Sequence, residues 1–450
     1  MRTRLTIFTI LVLVAAPLLA GCASNNTTTT PTGTATPTGG TTTPTTTATP
    51  TPTATPIIPT TIPKVLNLNL KMGLMMPISG DLADLGADMR DSAKMAIDEI
   101  NAANVGLTIT LVGVQDDGTG DSAGAPGKFN QLVGQGATAV VGPCCSGVTA
   151  AVLTPAVDNE IVVASPSATS PALTLERDND GYFWRVSPSD AVQGKVLADL
   201  VKQDGSTSAT LLIINNPYGN GLAGVFSERF TAGGGSVVKT EKFAETANEF
   251  SAGVTSVCAT NAQALVIVAY IAQGANIVKE LNKQGCLGKF KVYGSEGIYK
   301  GNGPEGLPER AGQDSSGRWL ASGIRGTTPE SGNLSAFNAK FKAKYGQDSG
   351  LYSAESYDGV MYIALAALAA ESVEGAKIKD KLLSVANGGY KTSDFRTAAL
   401  LILGGQDVDW QGQAHDFDYD ERHEPKTGVY SWWEVGDDGQ VTTVATGKSA

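Results

Sequence analysis

Two segments rich in small polar residues follow strand-like runs and could bind an anion. Ser146 lies in residues 141–147 (VGPCCSG), and Ser167, Ala168 and Thr169 lie in the Pro-bracketed residues 164–171 (ASPSATSP). Backbone N–H groups and hydroxyls at the start of a helix suit a carboxylate or a phosphate. A Ser N-cap without a ligand is the alternative interpretation of the first segment, and an ordinary capped turn is the alternative for the second.

Three further loops carry aromatic or acidic side chains. Tyr218 lies in residues 216–221 (NPYGNG), Tyr270 ends a buried-looking apolar run, and Glu296 lies between glycines in the sequence GSEG. Tyrosine offers both a flat apolar face and a hydroxyl. A carboxylate in a tight loop after a strand could neutralise an ammonium group. The alternatives are a surface-turn aromatic for Tyr218 and a solvated side chain for Glu296.

Up to about residue 300, predicted strands alternate with predicted helices, and these loops connect them. Strands separated by helices of about 10–15 residues are typical of βαβ units and a parallel sheet, and two such sheets predict an α/β protein with two lobes. In open sheets of this kind, ligands bind outside the carboxyl ends of the strands, where the five loops lie. Later in the chain, helices are predicted at residues 332–345, 354–370 and 378–386, and strand-like pieces at 416–419 and 429–435.

Composition excludes several classes of function. The chain has 450 residues and a formal net charge of −11, from 33 basic and 44 acidic residues. This acidic balance argues against a nucleic-acid partner and against docking on anionic lipid through a basic patch. The two histidines, His415 and His423, exclude a His-rich metal site. Cys144 and Cys145 have no predicted base nearby, so nucleophilic catalysis is not expected. We therefore expect no enzyme activity, no metal and no cofactor.

The N-terminus is typical of an exported, anchored protein. Two arginines precede a short apolar run at residues 5–20, which predicts a signal peptide over residues 1–21. The sequence LAGC that follows resembles a lipobox, which implies lipidation of Cys22; an uncleaved signal anchor is the alternative. Residues 22–63 are predicted to be a disordered stalk, because 20 Thr and 8 Pro occur among residues 25–63 without an apolar face.

Apart from Cys22, the cysteines form two pairs. Cys258 and Cys286 each precede a strand-like run. Neighbouring parallel strands would bring their leading loops together, and export permits a disulfide, so a bond between these two is predicted. Cys144 and Cys145 are adjacent, and both a vicinal disulfide and free thiols stay open for them.

The loops and their order resemble those of the branched-chain amino-acid-binding proteins of ABC transporters, which have the type I periplasmic-binding fold. The resemblance covers about residues 66–440. It rests on ordered motifs in this chain: PISG at 77–80, DEIN at 98–101, VGP at 141–143, SPSAT at 165–169, FWRVSPSD at 183–190, YGNG at 218–221 and YDGV at 357–360.

The resemblance implies two Rossmann-like lobes with three hinge crossovers. The crossovers are expected near Pro188, Ile324 and Phe417. Residues 64–188 and 325–417 would then form the first lobe, and residues 189–324 and 418–450 the second.

The resemblance also implies a ligand site between the lobes. Ser146, Thr169 and the backbone of Ser167 and Ala168 would bind a ligand carboxylate. Tyr218, Tyr270 and Glu296 would come from the second lobe, with Glu296 on the α-ammonium group. The chain departs from the family at two positions: Leu85 stands where well-known members have an aromatic residue beside the ligand side chain, and Cys145 lacks the family's usual disulfide partner, which would fall near Gly118.

The function implied is that of a lipid-anchored extracytoplasmic solute-binding protein. It would capture an amino acid, branched-chain or otherwise aliphatic, and deliver it to an ABC transporter permease, so its partners would be a small-molecule ligand, the permease and the membrane. A binder of an amide, urea or a small aromatic or organic acid is the alternative within the fold. A ligand-sensing subunit of a receptor is the second alternative function.

Overall fold

The computed structural model describes residues 58–118, 122–175, 179–332 and 334–450. The predicted signal peptide, the lipidation of Cys22 and most of the stalk fall on residues 1–57 and lie outside the described residues. At the end of the expected stalk, Ile62 is partly buried against the core. The packed body therefore begins before Lys64, because an apolar side chain this close to the body gains free energy by leaving water. No helix of the described residues combines the length and apolarity needed to cross a membrane.

Strands and helices alternate along most of the chain. The strands are β1 (Leu68–Met76), β2 (Leu107–Asp116), β3 (Ala139–Val141), β4 (Val162–Ser165), β5 (Phe183–Arg185), β6 (Ser208–Ile214), β7 (Ser236–Phe243), β8 (Ala264–Val268), β9 (Lys291–Gly294), β10 (Arg325–Pro329), β11 (Tyr390–Thr392), β12 (Val408–Trp410), β13 (Tyr430–Val435) and β14 (Val441–Lys448). The α-helices are α1 (Ala83–Ala103), α2 (Ala125–Gly134), α3 (Ser146–Asp158), α4 (Ala172–Leu175), α5 (Asp190–Gln203), α6 (Pro217–Ala232), α7 (Ser251–Cys258), α8 (Ile271–Lys283), α9 (Leu307–Ala311), α10 (Ser335–Tyr345), α11 (Ser353–Ala370), α12 (Gly375–Lys379), α13 (Leu382–Ala386) and α14 (Phe395–Leu403).

Two sheets form the cores of two lobes. The first is parallel throughout, in the order β2-β1-β3-β4-β5. The second has the order β14-β13-β10-β9-β8-β6-β7, and within it β13 runs antiparallel to both of its neighbours. Central strands such as β3, β4 and β8 are buried at every position, as expected for parallel strands covered by helices on both faces. The predicted α/β class with two parallel-sheet lobes is confirmed.

Helix α11 is the central helix of the first lobe. All its residues from Ser353 to Leu368 are buried, which matches a sequence that is apolar or small on every side. It packs against α1, where Ser356 Oγ donates to the carbonyl oxygen of Met89 at 2.8 Å. The same helix brings residues 352–355 to the edge where the loops of the first sheet end.

The boundaries between the lobes differ from the expected ones. The boundary at residue 325 would place β10 in the first lobe, but β10 pairs with β9 and β13 in the second sheet. The chain therefore returns to the first lobe only after Pro329. Near the last crossover, Tyr419 packs on Trp184 and Glu424 pairs with Arg185, so residues 418–424 belong to the first lobe. The expected crossover at Phe417 lies several residues too early.

Some local predictions were also wrong. Residues 416–419 do not form a strand, and their one sheet-like contact is an isolated bridge between Tyr419 and Pro425. The aromatic side chains of Phe417 and Tyr419 are buried, but through packing outside the sheets. Residues 378–386 are split between α12 and α13. The elements α4, β5, α9, β10, β11, β12, α14 and β14 were not predicted.

Candidate functional site

On the first lobe, the loop after β3 leads directly into helix α3. Gly142 has φ 103°, and a Cβ there would lie 1.9 Å from the carbonyl oxygen of Met75, so only glycine lets this loop close against β1. Ser146 is the first residue of the 13-residue helix α3, and its Oγ accepts from the backbone N–H of Ser170 at 3.2 Å. The positive end of the helix dipole therefore lies where an anion is expected.

The loop after β4 is fixed by a buried arginine that sequence reasoning missed. Arg185 is fully buried and donates to the carbonyl oxygens of Ala168 and Ser170, and to Glu424 at 2.8 Å. These bonds hold the loop's carbonyl oxygens on the side of the arginine. Thr169 Oγ1 donates to Asp190 Oδ2 at 2.9 Å. The backbone N–H of Ala168 donates to Ser165 Oγ at 3.1 Å, so this group is already used within the loop.

On the second lobe, two tyrosines and a glutamate lie at the ends of β6, β8 and β9. The rings of Tyr218 and Tyr270 are stacked, with centroids 5.8 Å apart and planes 7° apart. Tyr218 is held through its hydroxyl, which lies 2.6 Å from Ser295 Oγ and accepts from the backbone N–H of Gly297. The pair therefore presents a rigid apolar face.

Glu296 is buried, with 5% of its surface exposed. Gln193 Nε2 donates to its Oε2 at 2.5 Å. Burial raises the pKa of Glu296 to about 7, against the lowering effect of hydrogen bonds with Tyr218 and Gln193. Burial and the nearby Glu296 carboxylate raise the pKa of Asp190 well above its usual range. A cation placed beside Glu296 would restore its negative charge.

These loops enclose one cavity of about 370 Å³ between the lobes. The cavity is within the size range of small-molecule sites. Its lining includes Leu85, Ser146, Ser167, Thr169, Tyr218, Tyr270 and Glu296. Of the predicted site residues in the described part, Ala168 does not line it, because its side chain is buried in the first lobe and its N–H is bonded within the loop.

The two lobes are in contact at the rim of the cavity. Ser122 Oγ of the first lobe donates to Glu245 at 2.9 Å, and Ser170 Oγ donates to the carbonyl oxygen of Pro217 at 2.9 Å. Lys300 of the second lobe also pairs with Asp84 of the first at 3.2 Å, and both residues line the cavity. The structure therefore has a closed cleft.

The cysteines have separate environments. Cys258 and Cys286 form a disulfide in the second lobe, with their Cα atoms 6.0 Å apart. Cys144 and Cys145 are free thiols with Sγ atoms 3.5 Å apart, and both line the cavity. The structure thus has no bond between the vicinal pair.

Several cavity residues escaped sequence reasoning. They come from the loop before α11 and from that helix itself, chiefly Leu351, Tyr352 and Glu355. His415, from the C-terminal part of the chain, donates to Glu355 behind the cavity wall. A buried carboxylate in an otherwise apolar helix was the available signal in the sequence.

Comparisons with known proteins agree with this architecture. A family model described as periplasmic binding protein matches residues 69–399. The Leu/Ile/Val-binding protein homolog 3 of Brucella melitensis is 28% identical over 231 residues, 51% of this chain and 62% of that protein, so the chain spans less than two thirds of this relative. The leucine-, isoleucine-, valine-, threonine- and alanine-binding protein of Pseudomonas aeruginosa is 25% identical over 367 residues, 81% of this chain and 90% of that protein.

Solved structures share the fold. The branched-chain amino acid transporter substrate-binding protein LivJ of Streptococcus pneumoniae, in complex with isoleucine, has a TM-score of 0.65 at 24% identity, over 85% of this chain and 99% of that one. A solute-binding protein of an ABC transporter from R. palustris, in complex with benzoate, has a TM-score of 0.65 at 17% identity. The match covers 85% of this chain and 97% of that one. At such identities the likeness concerns the fold alone.

Proposed function

The chain belongs to the periplasmic binding protein family, a family of substrate-binding transport proteins rather than enzymes, and we propose that it captures an amino acid between its two lobes. One observation carries the proposal: the N-terminus of α3 with Ser146 and the carboxylate of Glu296 line the same cavity from opposite lobes. A zwitterion can bind both at once. Because only the closed cleft satisfies both ends, the ligand favours closure.

The middle of the cavity favours a ligand with aliphatic carbons. Leu85 and Ile271 line it, and the stacked Tyr218 and Tyr270 supply a second apolar surface. Burying methylene groups there contributes roughly 0.8 kcal/mol for each. Branched-chain and other aliphatic amino acids are therefore the first candidates.

The test is isothermal titration of the purified protein with a panel of amino acids, before and after Glu296→Gln. The substitution removes the negative charge and keeps the shape, so affinity is expected to fall about 10- to 100-fold, or about 1.4–2.7 kcal/mol. The exposed Glu228→Gln, on helix α6, makes the same chemical change away from the cavity and should leave affinity within twofold. Unchanged binding in Glu296→Gln would refute the assignment of the ammonium group.

A small aromatic acid is the second candidate, favoured by the parallel ring pair of Tyr218 and Tyr270. A ring could lie against the tyrosine faces while its carboxylate binds at Ser146. Benzoate should then bind, and binding should be insensitive to Glu296→Gln. Amino-acid binding that depends on Glu296 would exclude this candidate.

We also propose that the protein is exported and anchored on the outer face of the membrane through a lipid on Cys22, and that it delivers its ligand to an ABC permease. The apolar run at residues 5–20, the LAGC sequence and the Thr/Pro-rich stalk support the anchor. Metabolic labelling with a radioactive lipid precursor should label the wild type and not Cys22→Ala. Labelling of both proteins, or of neither, would contradict the anchor.

A further inference from the structure

A second carboxylate lies in the wall of the ligand cavity. Glu355, in helix α11, lines the cavity and is 1% exposed. His415 Nε2 donates to its Oε1 at 2.9 Å. Among the described residues, its other oxygen, Oε2, accepts no hydrogen bond. Because Glu355 lines the cavity, this oxygen is available to a ligand group that donates a hydrogen bond or carries a positive charge.

The wall of the cavity also contains a tyrosine whose hydroxyl is unpaired among the described residues. Tyr352, at the start of α11, lines the same cavity, and its buried hydroxyl has no hydrogen-bond partner in the described part of the chain. The hydroxyl is within electrostatic range of both Glu296 and Glu355. Two independent groups on one side of the cavity therefore lack partners, and both can accept a hydrogen bond.

The charges of the cavity are unbalanced. Its acidic lining residues are Asp84, Asp88, Glu296 and Glu355, and its basic lining residue is Lys300. Lys300 pairs with Asp84 at the rim. An α-ammonium group on Glu296 leaves Glu355 facing the cavity with only His415 behind it. A purely aliphatic side chain would cover this carboxylate without pairing it, which is unfavourable in a site that excludes water.

His415 does not cancel this charge alone. It stacks on Phe417, with ring centroids 4.5 Å apart, and it is also within electrostatic range of the carboxylate of Asp358. Asp358 is satisfied by backbone N–H groups of Gln413 and Ala414, both at 2.9 Å. The imidazole therefore interacts with two carboxylates, of which Glu355 lines the cavity and Asp358 does not.

We infer that the ligand is an amino acid whose aliphatic side chain ends in a cation, and that this cation binds Glu355 Oε2 with help from the Tyr352 hydroxyl. The inference rests on the proposed function and narrows its ligand class. The methylene groups of such a side chain would contact Leu85, Ile271 and Leu351, which explains why apolar residues and an acid share one cavity. Lysine, ornithine and arginine have this chemistry.

The experiment compares cationic amino acids with an uncharged, unbranched one. Isothermal titration of the purified protein with lysine, ornithine, arginine, norleucine, leucine and valine should give at least tenfold tighter binding for one cationic ligand than for norleucine. Glu355→Gln should weaken that ligand at least tenfold and leave norleucine within twofold. Glu228→Gln is the matched control and should change neither.

A second variant, Tyr352→Phe, tests the inference even if Glu355→Gln does not fold. Tyr352→Phe removes only a hydroxyl that has no partner among the described residues, so the melting temperature should not fall, while the cationic ligand should bind about threefold more weakly. Leucine or norleucine binding as tightly as the cationic ligands would overturn the inference and leave the proposed function standing. Unchanged affinity in both variants would overturn it too. If no amino acid binds at all, the proposed function itself fails.

Discussion

At the residue scale, burial decides the chemistry of the site. Glu296 and Asp190 are both buried, and their pKa values are raised because water cannot stabilise their charges. The groups that interact with Glu296 include Gln193, Tyr218 and Tyr352, and also the carboxyl group of Asp190; none of these is cationic. The carboxyl group of Glu296 thus has no positive partner among these groups, and under the proposed function an ammonium group would supply one.

This arrangement makes ligand binding depend on pH. The pKa of Glu296 is about 7 in the closed cleft. An ammonium group bound beside it would lower this pKa, so binding below pH 7 would release a proton. Affinity for the amino acid should be constant above pH 7 and should fall up to about tenfold for each pH unit below it. Titrations at pH 6 and 8, in two buffers that differ in ionisation enthalpy, measure both the affinity and the released proton.

Glu296→Gln is the control for this linkage, because it cannot titrate. Any affinity that it retains should show no step near pH 7. A wild-type affinity that is the same at pH 6 and pH 8 would mean that Glu296 does not contact the ammonium group.

At the scale of elements, the N-terminus of α3 serves both lobes. It begins with Ser146, which faces the ligand cavity, and continues with Gly147, which faces the second lobe. A Cβ on Gly147 would lie 2.8 Å from both Glu245 Oε1 and Ser122 Oγ, the side chains that connect the lobes at this rim. The absence of a side chain therefore lets the second lobe close over the helix.

Gly147→Ala is expected to weaken ligand binding without harming the fold. The added methyl group obstructs the closed contact, while alanine favours the helix by up to about 1 kcal/mol over glycine. We expect Kd to rise about three- to tenfold, with a melting temperature of the free protein that does not fall. Gly127→Ala, at a helical position with nothing within 4 Å, should leave Kd unchanged. Equal Kd values for the two variants would contradict the role of Gly147.

At the scale of the whole molecule, the site exists only when the lobes meet. Ser146 and Glu355 belong to the first lobe, whereas Tyr218, Tyr270 and Glu296 belong to the second. The contacts that hold the lobes together at the rim are exposed or polar, such as Lys300 with Asp84. Exposed ion pairs contribute about 0–1 kcal/mol, so the ligand must supply much of the free energy of closure.

Ligand should therefore compact the protein as well as stabilise it. Small-angle X-ray scattering should give a smaller radius of gyration with the ligand than without it, and a ligand at 100 times its Kd should add about 2.7 kcal/mol to the free energy of unfolding. Glu296→Gln at the same ligand concentration should stay expanded. Binding by the wild type with no change in radius would show that closure does not depend on the ligand.

From the sequence alone, the α/β class, the order of the loops and seven of the residues that line the cavity could be predicted. These depend on local patterns: strand and helix periodicities, glycine in tight turns, and small polar residues after strands. Because the carboxyl ends of parallel strands meet at one edge, residues as far apart as Ser146 and Glu296 can be assigned to one site from their positions in the chain alone.

Tertiary packing determines which of these groups face the cavity and which charges lie near them. Ala168 is turned into the first lobe because Arg185 and Ser165 bind its backbone. Glu355 and Tyr352 reach the cavity because α11 is packed against α1. This packing includes a hydrogen bond between Ser356 and Met89, which are 267 residues apart, and no local sequence pattern indicates such a contact. The strand β10 joins the second sheet for the same reason, since pairing and burial depend on distant parts of the chain.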